Sequence, residues 1–241
     1  MFSIKKRLTI IYLIMFFVLS ISGENSTESS GLCGKNMVYI ETTRFFTGIS
    51  DSESKYLNLL CNKTAGGCYE KWFEREVPGQ VVDVSSFCID KYEYPNRRNA
   101  KPVTDVSWER AAAICHEEGK RLCTEYEWER ACTGAVGYIW SYGYKYDSDV
   151  CNIHALKIEN SGTYPGCRTI EGVFDMNGNV SEWVMGSVKD KSAGYLPEKT
   201  RLLKGGSFKD WHVFTRCGFR DFRAEKYSGE ISGFRCCSNI Y

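Results

Sequence analysis

Gly172–Trp183 reads GVFDMNGNVSEW. Glycine, asparagine and aspartate are interleaved here with single apolar residues, so no helical period runs through the stretch. The same mixture of Gly, Asn, Asp and aromatic residues extends from Thr133 to the C-terminus, and it predicts short strands joined by long loops. Moving toward the N-terminus, Thr124 and Glu127 form a capping box ahead of EYEWERAC, which predicts a helix from Glu125 to about Cys132. Ala-rich Glu109–Glu118 follows Ser107, an N-cap residue, and Gly119 supplies a C-terminal stop. Asn36–Glu41 and Val81–Ile89 are rich in β-branched and aromatic residues, as strands are. The chain reads as α+β, with few regular elements for its length.

The N-terminus carries Lys5, Lys6 and Arg7, then an apolar run from Leu8 to about Ile21, with Ser20 and Ser22 spaced for cleavage. This is the pattern of a signal peptide over residues 1–22. The run is too short for a membrane-spanning helix, and no later stretch is long and apolar enough to replace it. Residues 23–32 read as a flexible polar lead-in. From Cys33 onward there is no Pro-rich or Gly/Ser-rich linker and no repeat, so 33–241 reads as one domain. The expected location is secreted or periplasmic, with no stable membrane insertion after cleavage.

Export gives the twelve cysteines their meaning. In an oxidising compartment they read as a disulfide framework, and no C-x-x-C suggests a zinc ribbon or a redox dithiol. Connectivity is not readable from spacing, although adjacent Cys236 and Cys237 should have different partners. Asn25, Asn62 and Asn179 each fit N-x-[ST]. With 31 Lys+Arg against 30 Asp+Glu the net charge is +1, which argues against nucleic acid as a partner. Hydrophobic residues at 43% and charged residues at 25% exclude wholesale disorder.

Seven stretches, in order, resemble one family. They are MVYI (37–40), FCIDKYEYPN (87–96), PVTDVSW (102–108), GKRLCTEYEW (119–128), GVFDMNGNVSEW (172–183), KGGSF (204–208) and GFR (233–235). The chain is similar to the formylglycine-generating enzyme, or sulfatase-modifying-factor, family over residues 36–237. The resemblance implies a variant of the C-type-lectin-like fold, low in regular secondary structure and here disulfide-stapled. Most of the motif residues read as scaffold: Trp108, Trp128, Trp140 and Trp183 as core, Lys120, Arg121 and Glu127 as polar ties, Gly205 and Gly206 as points of close backbone approach.

Members of the family that make formylglycine bind copper through two cysteines and use O₂, and soft thiolates suit Cu(I). Counted from Phe208, the matching positions are Asp210 and Thr215. Cys217 lies two residues further on, and its alternative reading is a disulfide to Cys236 or Cys237. Iron-dependent relatives of the fold would need two His and a carboxylate, whereas His116, His154 and His212 have no paired spacing. Copper and iron are therefore not expected.

The resemblance also implies structural calcium. One site maps onto the Asp175 side chain, the Gly178 and Val180 carbonyls and the Glu182 side chain; the alternative is that Asp175 caps a turn and Glu182 sits in an ion pair. A second maps onto Asn152 and Ile153, its remaining ligands falling where this chain is shorter. Calcium takes 6–8 oxygens and mixes carboxylates with loop carbonyls, as these positions offer. Two functions follow: a calcium-stabilised non-catalytic module for a protein or glycan ligand, or an oxidoreductase acting on an exported peptide or metabolite, with a cleft around Asp210, His212 and Cys217.

Overall fold

The computed structural model describes residues 31–64, 68, 73, 79–186 and 199–240. The signal peptide expected at 1–22 and the Asn25 sequon lie outside the described residues. The elements in order are β1 (Met37–Ile40), β2 (Thr43–Thr47), α1 (Asp51–Thr64), β3 (Gln80–Val84), β4 (Phe87–Asp90), α2 (Trp108–Glu117), β5 (Arg121–Leu122) and α3 (Glu125–Thr133). The second half contributes β6 (Ser181–Val184), β7 (Thr200–Lys204), a 3₁₀ turn (His212–Phe214), β8 (Asp221–Ala224), β9 (Ser232–Phe234) and β10 (Cys236–Asn239).

Both expected helices form where their caps put them. Ser107 Oγ accepts from Arg110 N at 3.3 Å to open α2. At α3, Thr124 Oγ1 accepts from Glu127 N at 3.2 Å while Glu127 Oε2 accepts from Thr124 N at 2.8 Å. Helix α1 was not expected. Its signal was a second capping box: Ser50 N donates to Glu53 Oε2 at 2.7 Å and Glu53 N to Ser50 Oγ at 3.3 Å. The Val81–Ile89 stretch is two strands rather than one. The break falls at Ser85–Ser86, where Ser86 N leaves the ladder and donates to Thr42 Oγ1 at 2.8 Å.

Three sheets result: β1-β4-β10-β5, the two-stranded β2-β3, and β8-β7-β6-β9. In the last, β6 runs parallel to β9 and antiparallel to β7. Strand β10 holds the two vicinal cysteines, and period-2 alternation sends them to opposite faces. Cys237 joins Cys123 in the core with Trp128 and Val173, and Cys236 joins Cys115 in the core with Trp183 and Phe234. The other bridges are Cys33–Cys88, Cys61–Cys68, Cys132–Cys217 and Cys151–Cys167. Cys217 therefore pairs with Cys132, not with either vicinal cysteine, because β10 commits those two to Cys115 on α2 and to Cys123 just after β5. Bridges spanning 121 and 114 residues restrain the unfolded chain most, each by about 4–5 kcal/mol in the chain-entropy picture taken singly.

Polar ties run through the same interior. Lys120 Nζ reaches Asp90 at 2.9 Å, and Arg121 holds Glu127 at 2.6 Å. Lys204 Nζ lies 2.9 Å from Glu129 Oε2, with both side chains at most 2% exposed. The other oxygen of Glu129 accepts from Thr47 Oγ1 and Gly48 N at 2.7 and 2.6 Å, so one carboxylate joins β2, α3 and β7. Lys204→Met should cost about 3–5 kcal/mol in urea unfolding, because it strands a buried carboxylate. Adding Glu129→Gln, which can still accept from Gly48, should recover a good part of that loss. A single variant as stable as the parent would show that the pair does not hold these elements.

Candidate functional site

The GVFDMNGNVSEW stretch folds into a loop that turns through left-handed backbone at Asp175 (φ 57°), Gly178 (φ 78°) and Asn179 (φ 55°) before entering β6. Gly178 has no substitute here, because a Cβ would stand 2.3 Å from the Asn152 carbonyl oxygen. Asp175 Oδ2 accepts from Gly162 N at 2.6 Å, and burial pushes its carboxyl up to about 6. Glu182 accepts from Arg235 Nη2 and Nε at 2.6 and 2.7 Å, and from Trp128 Nε1 at 2.7 Å. Glu182 thus forms a buried ion pair with Arg235.

Asn152 Nδ2 donates to the Lys157 carbonyl at 3.0 Å and to Asn179 Oδ1 at 2.8 Å. Its Oδ1 is buried with no hydrogen-bond partner among the described residues. Ile153 is buried beside it, in a small cluster with the Cys151–Cys167 bridge. Sequence reasoning missed Glu93, the most constrained acid of the group. It accepts from Ser161 Oγ at 2.7 Å and from Asn179 Nδ2 at 2.9 and 3.1 Å. Burial holds its carboxyl well above the usual range, with Asp175 and Glu182 adding like charge. Glu93 sits inside FCIDKYEYPN, but no spacing rule distinguishes it from the exposed acids nearby. Asp90, Glu93, Asp175 and Glu182 thus crowd one interior, against Arg235 and Lys120. Among the described residues, no three His, Cys, Asp or Glu side chains come together as a metal-binding group.

The segment after β7 places the remaining candidates. Gly206 (φ 62°) passes so close to Phe214 that a Cβ would lie 2.5 Å from its carbonyl oxygen. Asp210 Oδ2 accepts from Ser207 N and Oγ at 2.8 and 2.7 Å, closing its own turn. His212 is 3% exposed and stacks on Tyr146 with ring centroids 4.4 Å apart. Its Nε2 lies 3.3 Å from Thr64 Oγ1, and burial, helped by Arg216, lowers its pKa to about 4. Thr215 is buried, its Oγ1 donating to the His212 carbonyl at 3.1 Å.

A cleft of about 520 Å³ opens between β2, the start of α1 and the loop after α3. Phe46, Ile49, Val136, Tyr138, Tyr144 and Arg216 line it. Asp210, His212 and Cys217 are not in its lining; Cys217 borders it only through its neighbours Arg216 and Gly218. The Cys132–Cys217 bridge lies fully buried beneath. Asn177 Nδ2 points at it, 3.6 and 3.8 Å from the two sulfurs and 2.7 Å from the Thr215 carbonyl. The three residues expected to work together face a turn, a ring stack and a disulfide respectively. A bonded sulfur offers no thiolate, so in this form Cys217 is structural.

Comparison with known proteins places the chain in a family. The model of the sulfatase-modifying factor enzyme 1-like domain matches residues 94–240. Mouse formylglycine-generating enzyme is 32% identical over 168 residues, which is 59% of this chain and 45% of that protein. Bovine inactive C-alpha-formylglycine-generating enzyme 2 is 29% identical over 159 residues, 57% of this chain and 50% of that protein. The chain thus spans about half the length of these relatives. Among solved structures, PvdO from Pseudomonas aeruginosa superposes with a TM-score of 0.64 at 19% identity, covering 85% of this chain and 94% of that one. At that identity the likeness is one of fold, and it is the variant C-type-lectin-like fold that the motifs implied. With its motifs in order, the architecture matched and the family model covering more than half its length, the chain belongs to the sulfatase-modifying factor enzyme 1-like domain family.

Proposed function

We propose that this chain is an exported, calcium-stabilised, non-catalytic member of its family that binds a protein or glycan ligand. One observation carries the reading: all twelve cysteines are paired, and Cys217, the cysteine nearest the family's copper positions, is bonded to Cys132. The positions that would supply the copper thiolates hold Asp210 and Thr215, both used inside the backbone framework. The cleft, with Phe46, Tyr138 and Tyr144 on its walls, is the surface for a ligand. Six disulfides support export, since such bridges persist in oxidising compartments. Among the described residues no helix is long and apolar enough to cross a membrane. Similarity does not separate active from inactive, since relatives named both ways match about equally well.

A second reading, an oxidoreductase acting on an exported peptide or metabolite, is favoured by the sulfur pair lying under the cleft. Alkylation of the unreduced protein followed by intact mass separates the two. No alkyl group should be taken up until reductant and denaturant are present, when all twelve sites should react. A thiol mapped to Cys217 or Cys132 in the unreduced protein would favour the oxidoreductase.

The donor set suits calcium in part. Asp175, with the Gly178 and Val180 carbonyls, supplies hard oxygen ligands, while Glu182 is shared with Arg235. At the second site Asn152 Oδ1, unpartnered among the described residues, is the atom a cation would satisfy. When bound, calcium offsets the buried carboxylate surplus and pins the loop. Chelation should lower the melting temperature of the purified protein, calcium should restore it, and Asp175→Ala should abolish the dependence. A melting curve indifferent to both additions would refute the site.

His212 makes a separate prediction. Its folded pKa of about 4 lies below the ordinary 6.5. Between those values the unfolded chain binds a proton that the folded chain does not, so stability falls as pH drops through the window. Asp175, raised in the fold, works in the opposite sense, so the quantity to read is a difference. The stability gap between parent and His212→Phe should shrink from pH 7 toward pH 4; a gap constant with pH would place the His212 proton elsewhere.

A further inference from the structure

The structure ranks the two N-x-[ST] sequons it describes, and we infer that Asn62 is an N-glycan acceptor while Asn179 is barred from modification in the folded protein. The inference rests on the export reading, because the sugar is added in a secretory compartment.

In the reaction, Asn62 Nδ2 attacks C1 of a lipid-pyrophosphate-linked oligosaccharide. The N–C1 bond forms, the C1–O bond to pyrophosphate breaks, and the amide gives up one proton as the lipid pyrophosphate leaves. A site that survives folding therefore needs one spare Nδ2 hydrogen and room beyond it. Asn62 meets both needs. It is exposed on the last turn of α1, and its one hydrogen bond among the described residues uses the oxygen: Oδ1 accepts from Cys68 N at 3.1 Å. The attached sugar leaves that oxygen in place, so the small loop closed by Cys61–Cys68 is undisturbed. Asn62 is also nine residues from Glu53, about 14 Å along the helix. Since Glu53 lines the cleft and Asn62 does not, the attachment point lies outside the cleft.

Asn179 fails on both counts. It is 3% exposed. Its Nδ2 donates to the Glu93 carboxylate at 2.9 and 3.1 Å and to the Glu159 carbonyl at 3.1 Å. Its Oδ1 accepts from Asn152 Nδ2 at 2.8 Å and from Glu159 N at 2.9 Å. A sugar there removes one of two engaged hydrogens and has no space, so a chain modified at Asn179 cannot close this interior. Thr64 completes the Asn62 sequon, and in the fold its hydroxyl donates to the Leu60 carbonyl at 2.9 Å.

The test secretes the full chain from cultured insect cells in two forms, one with its own residues 1–22 and one with a surrogate leader replacing them. Peptide-N-glycosidase and peptide mass mapping then locate each Asn converted to Asp, separating Asn62 from Asn25. Both forms should be secreted with a glycan on Asn62 and none on Asn179. Asn62→Gln and Thr64→Ala should each abolish the Asn62 signal, whereas Thr64→Ser should retain it. Bare Asn62 in the surrogate-leader form overturns the inference, as does a glycan on Asn179 in folded, fully disulfide-bonded protein. If the surrogate form is modified but the native form stays inside the cell, the export reading fails and the inference for the natural chain fails with it.

Discussion

Arg235 is the point on which the rest of this structure turns. Its guanidinium is fully buried between β9 and β10 and holds both oxygens of Glu182 on β6. It also donates to the carbonyls of Asp90 at the end of β4 and Phe174 in the long loop, at 3.2 and 2.8 Å. Glu182 is shared in turn with the Trp128 indole of α3. A buried cation is tolerated only when its donors are satisfied, and here two sheets and the loop satisfy them together. The planar, five-donor geometry of arginine makes that convergence possible, and a lysine could not reproduce it.

The disulfides complete what the ion pair begins. A chain with this much loop cannot bury enough continuous strand and helix to hold its loops by packing alone, so cross-links restrict the alternatives of the unfolded chain. Four of the six bridges join residues at least 55 positions apart. One of them, Cys132–Cys217, lies buried beneath the cleft. By tying the end of α3 to the segment after the 3₁₀ turn, it stiffens the floor of the cleft. Nearby, Asp210 closes a turn and His212 is held inside a ring stack, where burial lowers its pKa.

Local rules served well wherever a local cause decided the outcome. Caps at Ser107 and Thr124 started their helices, and the unread cap at Ser50 started α1 by the same mechanism. The split of Val81–Ile89 was not legible, because Ser85 and Ser86 break the strand only through a bond to distant Thr42. Glu93 was not legible either. Its role comes from Asn179 and Ser161, which lie 86 and 68 residues away, and no local pattern encodes such distances.

By itself the sequence determined the class of fold, the family, the two capped helices and the separate partners of Cys236 and Cys237, since each follows from spacing or from motifs within a few residues. Only the tertiary structure decided which cysteines meet, which acids share one interior, where the cleft lies and which asparagine stays exposed. Those outcomes depend on long-range closure. Burial, desolvation and hydrogen-bond satisfaction act on groups that are neighbours in space, and a linear chain does not record who those neighbours are.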